Sequence, residues 1–231
     1  MNDIFHQQTK KSARARTALV AALALGCLFG TANHASAQTV TPPPTPTLIT
    51  PEAGNTAFLV GHARGTQGYV CLPTGPGAST ASWTINGARP EATLFTKVFG
   101  QDVQIITHFL SPDENPKDPT QPVPFGNATW QSSFDSSRVW AAVLHGNTIG
   151  AGTHPSCPNT GSIACLLLTT VGAKDGPTGG TLLSKTTFIQ RLNTNGGSAP
   201  ADGCSVSTDV GKQTLVPYTA DYYFYKADAK L

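Results

Sequence analysis

The chain has 231 residues, of which only 12% are charged, and a formal net charge of +2. Residues 1–37 hold four of the 15 basic side chains and one of the 13 acidic ones, so residues 38–231 carry 11 basic and 12 acidic side chains, a net charge of −1. That balance gives no electrostatic basis for binding nucleic acid or an anionic membrane. With 23 glycines and 18 prolines, the chain favours short strands joined by turns over amphipathic helices.

The first 37 residues have the three parts of a secretory signal peptide in the right order. Four basic residues precede an apolar run from Ala18 to Phe29, and Ala35-Ser36-Ala37 provides a cleavage site. The apolar run is too short for the roughly 20 residues that cross a bilayer as a helix. We predict cleavage after Ala37, which leaves a secreted or periplasmic chain with no membrane span. Lipoprotein processing at Cys27 is a minor alternative.

Four cysteines remain after this cleavage, and an even count in an exported chain indicates two disulfides with three possible pairings. We favour Cys157–Cys165, which spans a Pro-Asn-Thr-Gly turn, together with Cys71–Cys204, which closes a loop of about 130 residues. A zinc site is disfavoured because the chain has no C-x-x-C pair.

Residues 38–51 are rich in proline and threonine, which predicts an extended linker, and residues 52–231 form the predicted domain. Runs rich in β-branched and aromatic residues alternate there with turn signals. They predict an all-β domain, either a β-sandwich or a closed β-barrel, of about ten short antiparallel strands. The ten runs are Thr56–Gly61, Gln67–Leu72, Ala81–Ile85, Ala92–Phe99, Val103–Phe109, Ala128–Phe134, Arg138–Leu144, Ile163–Val171, Thr186–Leu192 and Ala220–Tyr225.

Three local patterns refine this picture. Asn86-Gly87 is typical of a type I′ hairpin turn, because both central positions of that turn need a positive φ. Residues 111–124 hold five prolines and no apolar periodicity, which predicts an exposed loop. Leu166-Leu167-Leu168 is apolar without alternation, as in a strand buried on both faces.

Four stretches resemble the DUF3455 family of exported proteins of unknown function: Gly65–Cys71, Arg89–Phe95, Ile189–Cys204 and Val216–Tyr225. The resemblance runs from about residue 50 to the C-terminus, and it implies no established activity. Cys71 and Cys204 lie inside these motifs, which supports pairing them.

The chain departs from the family pattern at two places. It has Asp135-Ser136-Ser137 where the family tends to have Asp-Gly-Ser, and Cys165 where the family tends to have tryptophan before the three leucines. The second departure makes the Cys157–Cys165 disulfide a local addition to the family pattern.

Histidine and carboxylate side chains suggest one hypothetical metal site. His62 and His108 lie in predicted strands, where they could meet across a sheet and bind a metal with Asp135 or Glu91. No H-x-H or H-E-x-x-H spacing supports this arrangement, so we favour structural roles for both histidines and predict no cofactor.

Arg191 and Asp221 are each the one charge in an apolar strand. Because a buried charge should be paired, we predict a buried ion pair between them, with ligand binding by Arg191 as the alternative. Alternation places Tyr222 and Phe224 on one face of the last strand, and Tyr223 and Tyr225 on the other.

The motifs of activated nucleophiles and phosphate loops are absent from the sequence. We therefore favour a non-enzymatic binding or surface-associated protein, whose partner is an unknown ligand or an extracellular surface. An enzyme with a dispersed metal-assisted or hydrolytic site remains the alternative. Asn127-Ala128-Thr129 is a glycosylation sequon only if export passes through an endoplasmic reticulum.

Overall fold

In a computed structural model of the chain, the structure describes residues 40–111 and 127–229. The predicted signal peptide lies outside these residues, as does nearly all of the predicted loop at 111–124. In the described ranges, no helix is both long enough and apolar enough to span a membrane.

Within the described residues, eight antiparallel strands form a closed barrel, in which each strand pairs with the next along the chain and the last pairs with the first. A short 3-10 helix, Thr47–Ile49, precedes them. This confirms the predicted all-β antiparallel class and selects the closed form. The strands are β1 (Asn55–Pro73), β2 (Ala81–Val98), β3 (Gln101–Ser111), β4 (Asn127–Ser132), β5 (Arg138–Ile149), β6 (Cys165–Lys174), β7 (Thr186–Gly196) and β8 (Gln213–Ala227).

The ten predicted runs become eight strands because the first four merge into two. Thr56–Gly61 and Gln67–Leu72 both lie in β1, and the two following runs both lie in β2. The predicted hairpin turn at Asn86-Gly87 is therefore wrong. Gln67 pairs with Pro90 and Tyr69 pairs with Ile85, so the extra residues of β2 form a bulge opposite β1. Since β1 supplies a partner on both sides of this bulge, the chain continues instead of reversing.

Alternate side chains of the strands pack into two hydrophobic clusters. Leu166, Leu168, Tyr222 and Phe224 belong to the cluster inside the barrel. Their sequence neighbours belong to a second cluster on the outside of the wall: Leu167, Tyr223 and Tyr225. The prediction that the three leucines are buried on both faces is confirmed, and so is the alternation of the aromatic residues in β8.

The segment before β1 covers part of the outer cluster. The side chain of Ile49 is fully buried against it, and Gln190 donates a hydrogen bond to the Ile49 carbonyl. The prediction that residues 38–51 are only a linker is therefore wrong at Ile49. An apolar outer face on β6, β7 and β8 exposes area that water disfavours, and the preceding segment removes it from solvent.

Both disulfides have the predicted partners, Cys71–Cys204 and Cys157–Cys165. They lie at the end of the barrel where β1 leads into β2 and β7 leads into β8, which we call the loop end. Cys71 joins β1 to the β7–β8 connection, and Cys157 joins the β5–β6 connection to the first residue of β6. The disulfides thus connect the long loops of this end to the barrel wall.

The turn between β4 and β5, at the opposite end, contains Asp135. Its carboxylate accepts hydrogen bonds from the backbone N–H and the hydroxyl of Ser137, and from the backbone N–H of Leu182. Burial would raise the pKa of Asp135, but these hydrogen bonds outweigh burial and lower that pKa to about 2. Asp135 therefore organises a turn, which contradicts its hypothetical role in a metal site with His62 or His108.

Loss of the Cys71–Cys204 disulfide should destabilise the barrel more than loss of Cys157–Cys165. The loops that these disulfides close span 133 and 8 residues. The chain-entropy model predicts that they stabilise the folded state by about 5 and about 2.5 kcal/mol, respectively. Urea unfolding of the two Cys→Ser double variants, one lacking each disulfide, measures the difference. Equal losses would contradict the assignment of the long-range disulfide as the main covalent constraint.

Ser136 adopts a φ of 60°, at the position where the family tends to have glycine. A non-glycine residue costs about 1–2 kcal/mol in the left-handed region. Replacing it with glycine removes this cost, but glycine loses more conformational freedom on folding, which offsets part of the benefit. Ser136→Gly should therefore raise the free energy of unfolding by about 0.5–1 kcal/mol. The matched variant Ser136→Ala, which keeps the strained backbone, should give no such gain in the same urea titration.

Candidate functional site

A cavity of about 180 Å³ lies inside the barrel toward the loop end, and we call it the axial cavity. Every one of the eight strands contributes at least one side chain to it, so it exists only because the sheet closes. Most of the lining is apolar or aromatic, with a few polar groups, as in sites that bind small molecules. The lining residues are Gln67, Asn86, His108, Ala128, Trp130, Val143, Leu166, Leu168, Arg191 and Tyr222.

Strand register places Arg191 on the inner face of β7. Arg191 lies opposite Tyr222 of β8, whereas Asp221 lies opposite Leu192, whose side chain belongs to the outer cluster. Arg191 and Asp221 therefore face opposite sides of the barrel wall. The predicted ion pair between them is wrong, because the sequence indicates that both strands are apolar but does not indicate their register.

The guanidinium of Arg191 has a carbonyl as its hydrogen-bond partner. Its Nε and Nη2 atoms donate to the backbone oxygen of Ala164 at 3.2 and 2.8 Å. Within residues 40–111 and 127–229, Arg191 forms no ion pair with a carboxylate. A positive charge thus lies at the wall of a largely apolar cavity without a negative charge to balance it.

His108 is a neutral hydrogen-bond acceptor at this wall. Its side chain is 5% exposed, and Nδ1 donates to the Thr129 carbonyl at 2.8 Å. Burial lowers the pKa of His108 to about 4, and the positive charge of Arg191 also lowers it. The hydrogen bond to Thr129 raises this pKa but does not outweigh burial. With the proton on Nδ1, Nε2 carries a lone pair, and it forms no hydrogen bond within the described ranges.

Three aromatic rings stand together beside these polar groups. The His108 ring stacks on Trp130 with centroids 4.0 Å apart and an interplanar angle of 8°. Tyr222 is tilted against both rings, at a centroid distance of 5.8 Å from each. Trp130 and Tyr222 are each 1% exposed. The stacking fixes the orientation of His108, and we call these three rings the aromatic wall.

The phenols of Tyr69 and Tyr218, near Arg191, are uncharged at neutral pH. Tyr218 and Tyr222 share a hydrogen bond of 3.0 Å between their hydroxyls. Burial is the main cause that raises the pKa of Tyr218, and the neighbouring Tyr222 raises it further. Tyr69 donates to the Gly197 carbonyl at 2.6 Å, and burial raises its pKa although Arg191 opposes this. The tyrosines thus leave the charge of Arg191 uncompensated.

His62 lies on the outer face and does not meet His108. Its Nδ1 is 2.6 Å from Oδ1 of Asp221, and its side chain is 57% exposed. Asn193 donates to Oδ2 of the same carboxylate at 2.8 Å. The hypothetical metal site is therefore wrong in its geometry, and the residues that the structure describes include no group of three His, Cys, Asp or Glu side chains able to hold a metal.

Sequence reasoning included Arg191 and His108 among the candidates but missed Gln67, Trp130 and Tyr222 as their neighbours. Ala128 and Trp130 are two residues apart in β4 and therefore share a face, and that face is the interior. No sequence signal shows that β1, β4 and β8 surround one cavity, because this depends on closure of the sheet.

The burial of His108 makes stability depend on pH. Its pKa is about 4 in the folded state against an ordinary value of 6.5, so between these values the unfolded state binds more protons. The free energy of unfolding should therefore fall as the pH drops from 6.5 to 4. At 1.36 kcal/mol per pH unit, the loss is about 3 kcal/mol.

Urea unfolding between pH 4 and pH 7 measures this dependence. The variant His108→Phe keeps a ring at this position but cannot titrate. Its free energy of unfolding should therefore change less with pH over the same range than that of the wild-type protein. An unchanged slope would contradict the assignment of His108 as a buried neutral group.

Comparison with known proteins agrees with the motifs of the sequence. No curated protein matches the chain, and no solved structure matches it either. Residues 52–226 match the family described as "Protein of unknown function (DUF3455)". This match covers all eight strands but for the last residue of β8, and includes both disulfides. The chain is therefore a member of the DUF3455 family.

Proposed function

We propose that this protein is an exported binding protein that holds a small organic anion in the axial cavity, with Arg191 as its anchor. The observation that carries this proposal is the guanidinium of Arg191 at the cavity wall, without a carboxylate partner within the described ranges. The export is supported by the signal-peptide pattern of residues 1–37 and by the two disulfides, which are typical of oxidising compartments.

The chemistry of arginine explains why an anion is the favoured ligand. A guanidinium does not lose its proton in proteins, so burial cannot neutralise it as it neutralises His108. One carbonyl, that of Ala164, occupies its Nε and Nη2 atoms, which leaves other N–H donors of the planar group available. A ligand carboxylate would accept charge-assisted hydrogen bonds from them and balance the charge.

The volume of the cavity limits the size of the ligand. An engineered protein cavity of about 150 Å³ accommodates benzene, and the axial cavity is about 180 Å³. Sites for drug-sized ligands are larger, at about 300–1,000 Å³. A single-ring carboxylate such as benzoate therefore suits the space, whereas a long acyl chain or a polysaccharide would not fit within it.

One observation favours an enzyme as the second candidate. Asp221 orients the exposed His62 on the outer face, and Asn193 holds the other oxygen of that carboxylate. A carboxylate-oriented histidine can act as a general base. However, His62 has no hydroxyl or thiol nucleophile as a hydrogen-bond partner within the described residues, so a hydrolytic role has less support than binding.

The substitution Arg191→Met separates an anchoring role from a structural one. Wild-type protein should bind benzoate, and Arg191→Met should lose at least tenfold in affinity because the charged anchor is absent. Its free energy of unfolding without ligand should change by no more than about 1 kcal/mol, since loss of the hydrogen bonds to Ala164 is offset by removal of a partly desolvated charge.

Isothermal titration calorimetry with benzoate measures the affinity, and urea unfolding measures the stability. Arg64→Met is the matched control, because Arg64 pairs with Asp102 on the exposed surface and its loss should leave the affinity unchanged. Equal binding by Arg191→Met and wild type, or a stability loss of about 3–5 kcal/mol typical of a broken buried ion pair, would contradict the proposal.

A further inference from the structure

The axial cavity offers a second polar group whose chemistry is the opposite of that of Arg191. The ring of His108 donates from Nδ1 to the Thr129 carbonyl, which has no proton of its own to give. The tautomer is therefore fixed with the lone pair on Nε2. The His108 ring lines the cavity, so the cavity wall includes one cationic donor and one neutral acceptor.

The protein itself leaves this acceptor unused. Within residues 40–111 and 127–229, the one hydrogen bond of the His108 side chain is that of Nδ1 to Thr129. The side chain is 5% exposed, and an acceptor that a ligand seals from water costs free energy unless it receives a hydrogen bond. A ligand that donates a hydrogen bond to Nε2 would avoid this cost, whereas a ligand without a donor would incur it.

The aromatic wall indicates the part of the ligand between the two polar groups. His108, Trp130 and Tyr222 all belong to the cavity lining; the first two rings are stacked, and Tyr222 is tilted against them by 54° and 57°. Aromatic pairs favour offset-stacked or edge-to-face contacts, and each adds to the burial of apolar area. A flat ring therefore gains more from this wall than a saturated ring of similar size.

Building on the proposed function, we propose that the axial cavity selects hydroxylated aromatic acids, whose carboxylate binds Arg191 and whose hydroxyl donates to Nε2 of His108. Arg191 supplies affinity for any small carboxylate. His108 and its aromatic neighbours supply selectivity within that class, because an analogue without the hydroxyl leaves a buried acceptor unpaired.

The test compares ligands on the full mature chain at pH 7 by isothermal titration calorimetry. The set comprises benzoate, 3-hydroxybenzoate, 4-hydroxybenzoate, the matching fluorobenzoates and cyclohexanecarboxylate. The fluorobenzoates are similar in size to the hydroxy acids but cannot donate a hydrogen bond. At least one hydroxybenzoate should bind about three- to tenfold more tightly than its fluoro counterpart, as one net hydrogen bond allows. Benzoate should bind more tightly than cyclohexanecarboxylate.

His108→Phe provides the matched protein variant. In this variant the ratio of the affinities for the hydroxy acid and for its fluoro counterpart should fall to about one, because phenylalanine has no hydrogen-bond acceptor. The comparison of hydroxy and fluoro ligands on wild-type protein tests the inference even if this variant does not fold.

The possible failures are distinct. If all the carboxylates bind but hydroxy and fluoro ligands bind equally, or if His108→Phe retains the preference, the selectivity is overturned and the proposed function stands. If cyclohexanecarboxylate binds as well as benzoate, the aromatic part of the inference is wrong. If no carboxylate binds, both this inference and the proposed function are wrong.

Discussion

The pairing of β1 with β8 closes the barrel. It runs from Asn55 opposite Ala227 to Val70 opposite Gln213 and joins the two ends of the domain. Without it the sheet would have two open edges with unpaired backbone groups. Its closure encloses the inner hydrophobic cluster and brings side chains of all eight strands around one axial cavity.

Covalent and hydrogen-bonded constraints reinforce the same junction at the loop end. Cys71 follows directly after Val70, the last residue of β1 that pairs with β8. Its backbone N–H donates to the carbonyl of Lys212, just before β8. Its disulfide to Cys204 then attaches the β7–β8 connection to β1. The end of the barrel nearest the cavity is thus held together in the folded state, which reduces the conformational freedom that a ligand would have to remove.

The cavity combines a permanent charge with groups that burial keeps neutral. His108, Tyr69 and Tyr218 all lie within the electrostatic influence of Arg191, and burial shifts each of their pKa values toward the uncharged form. A guanidinium does not respond in the same way, because guanidinium groups do not lose their proton in proteins. The resulting imbalance of charge, inside a wall that is otherwise apolar and aromatic, is the physical basis of the proposed anion site.

Features that depend on neighbouring residues can be predicted from the sequence alone. Alternation along a strand assigned Tyr222 and Phe224 to one face and Tyr223 and Tyr225 to the other, and the unbroken Leu166–Leu168 run indicated burial on both sides. Both follow from the two-residue period of a strand, which needs no tertiary information. The even number of cysteines and the short spacing of Cys157 and Cys165 likewise led to the observed disulfides.

Features that depend on strand register and on closure of the sheet arise from contacts between residues that are distant in the sequence. Shifting a strand by one residue moves its side chains to the other face, so the sequence could not distinguish Arg191 opposite Asp221 from Arg191 opposite Tyr222. It could not show that β2 continues through Asn86-Gly87, because the partner on both sides of that bulge is β1. The axial cavity has the same origin: its residues are far apart in the chain, and they meet because hydrogen bonds between distant strands are satisfied only when the sheet closes.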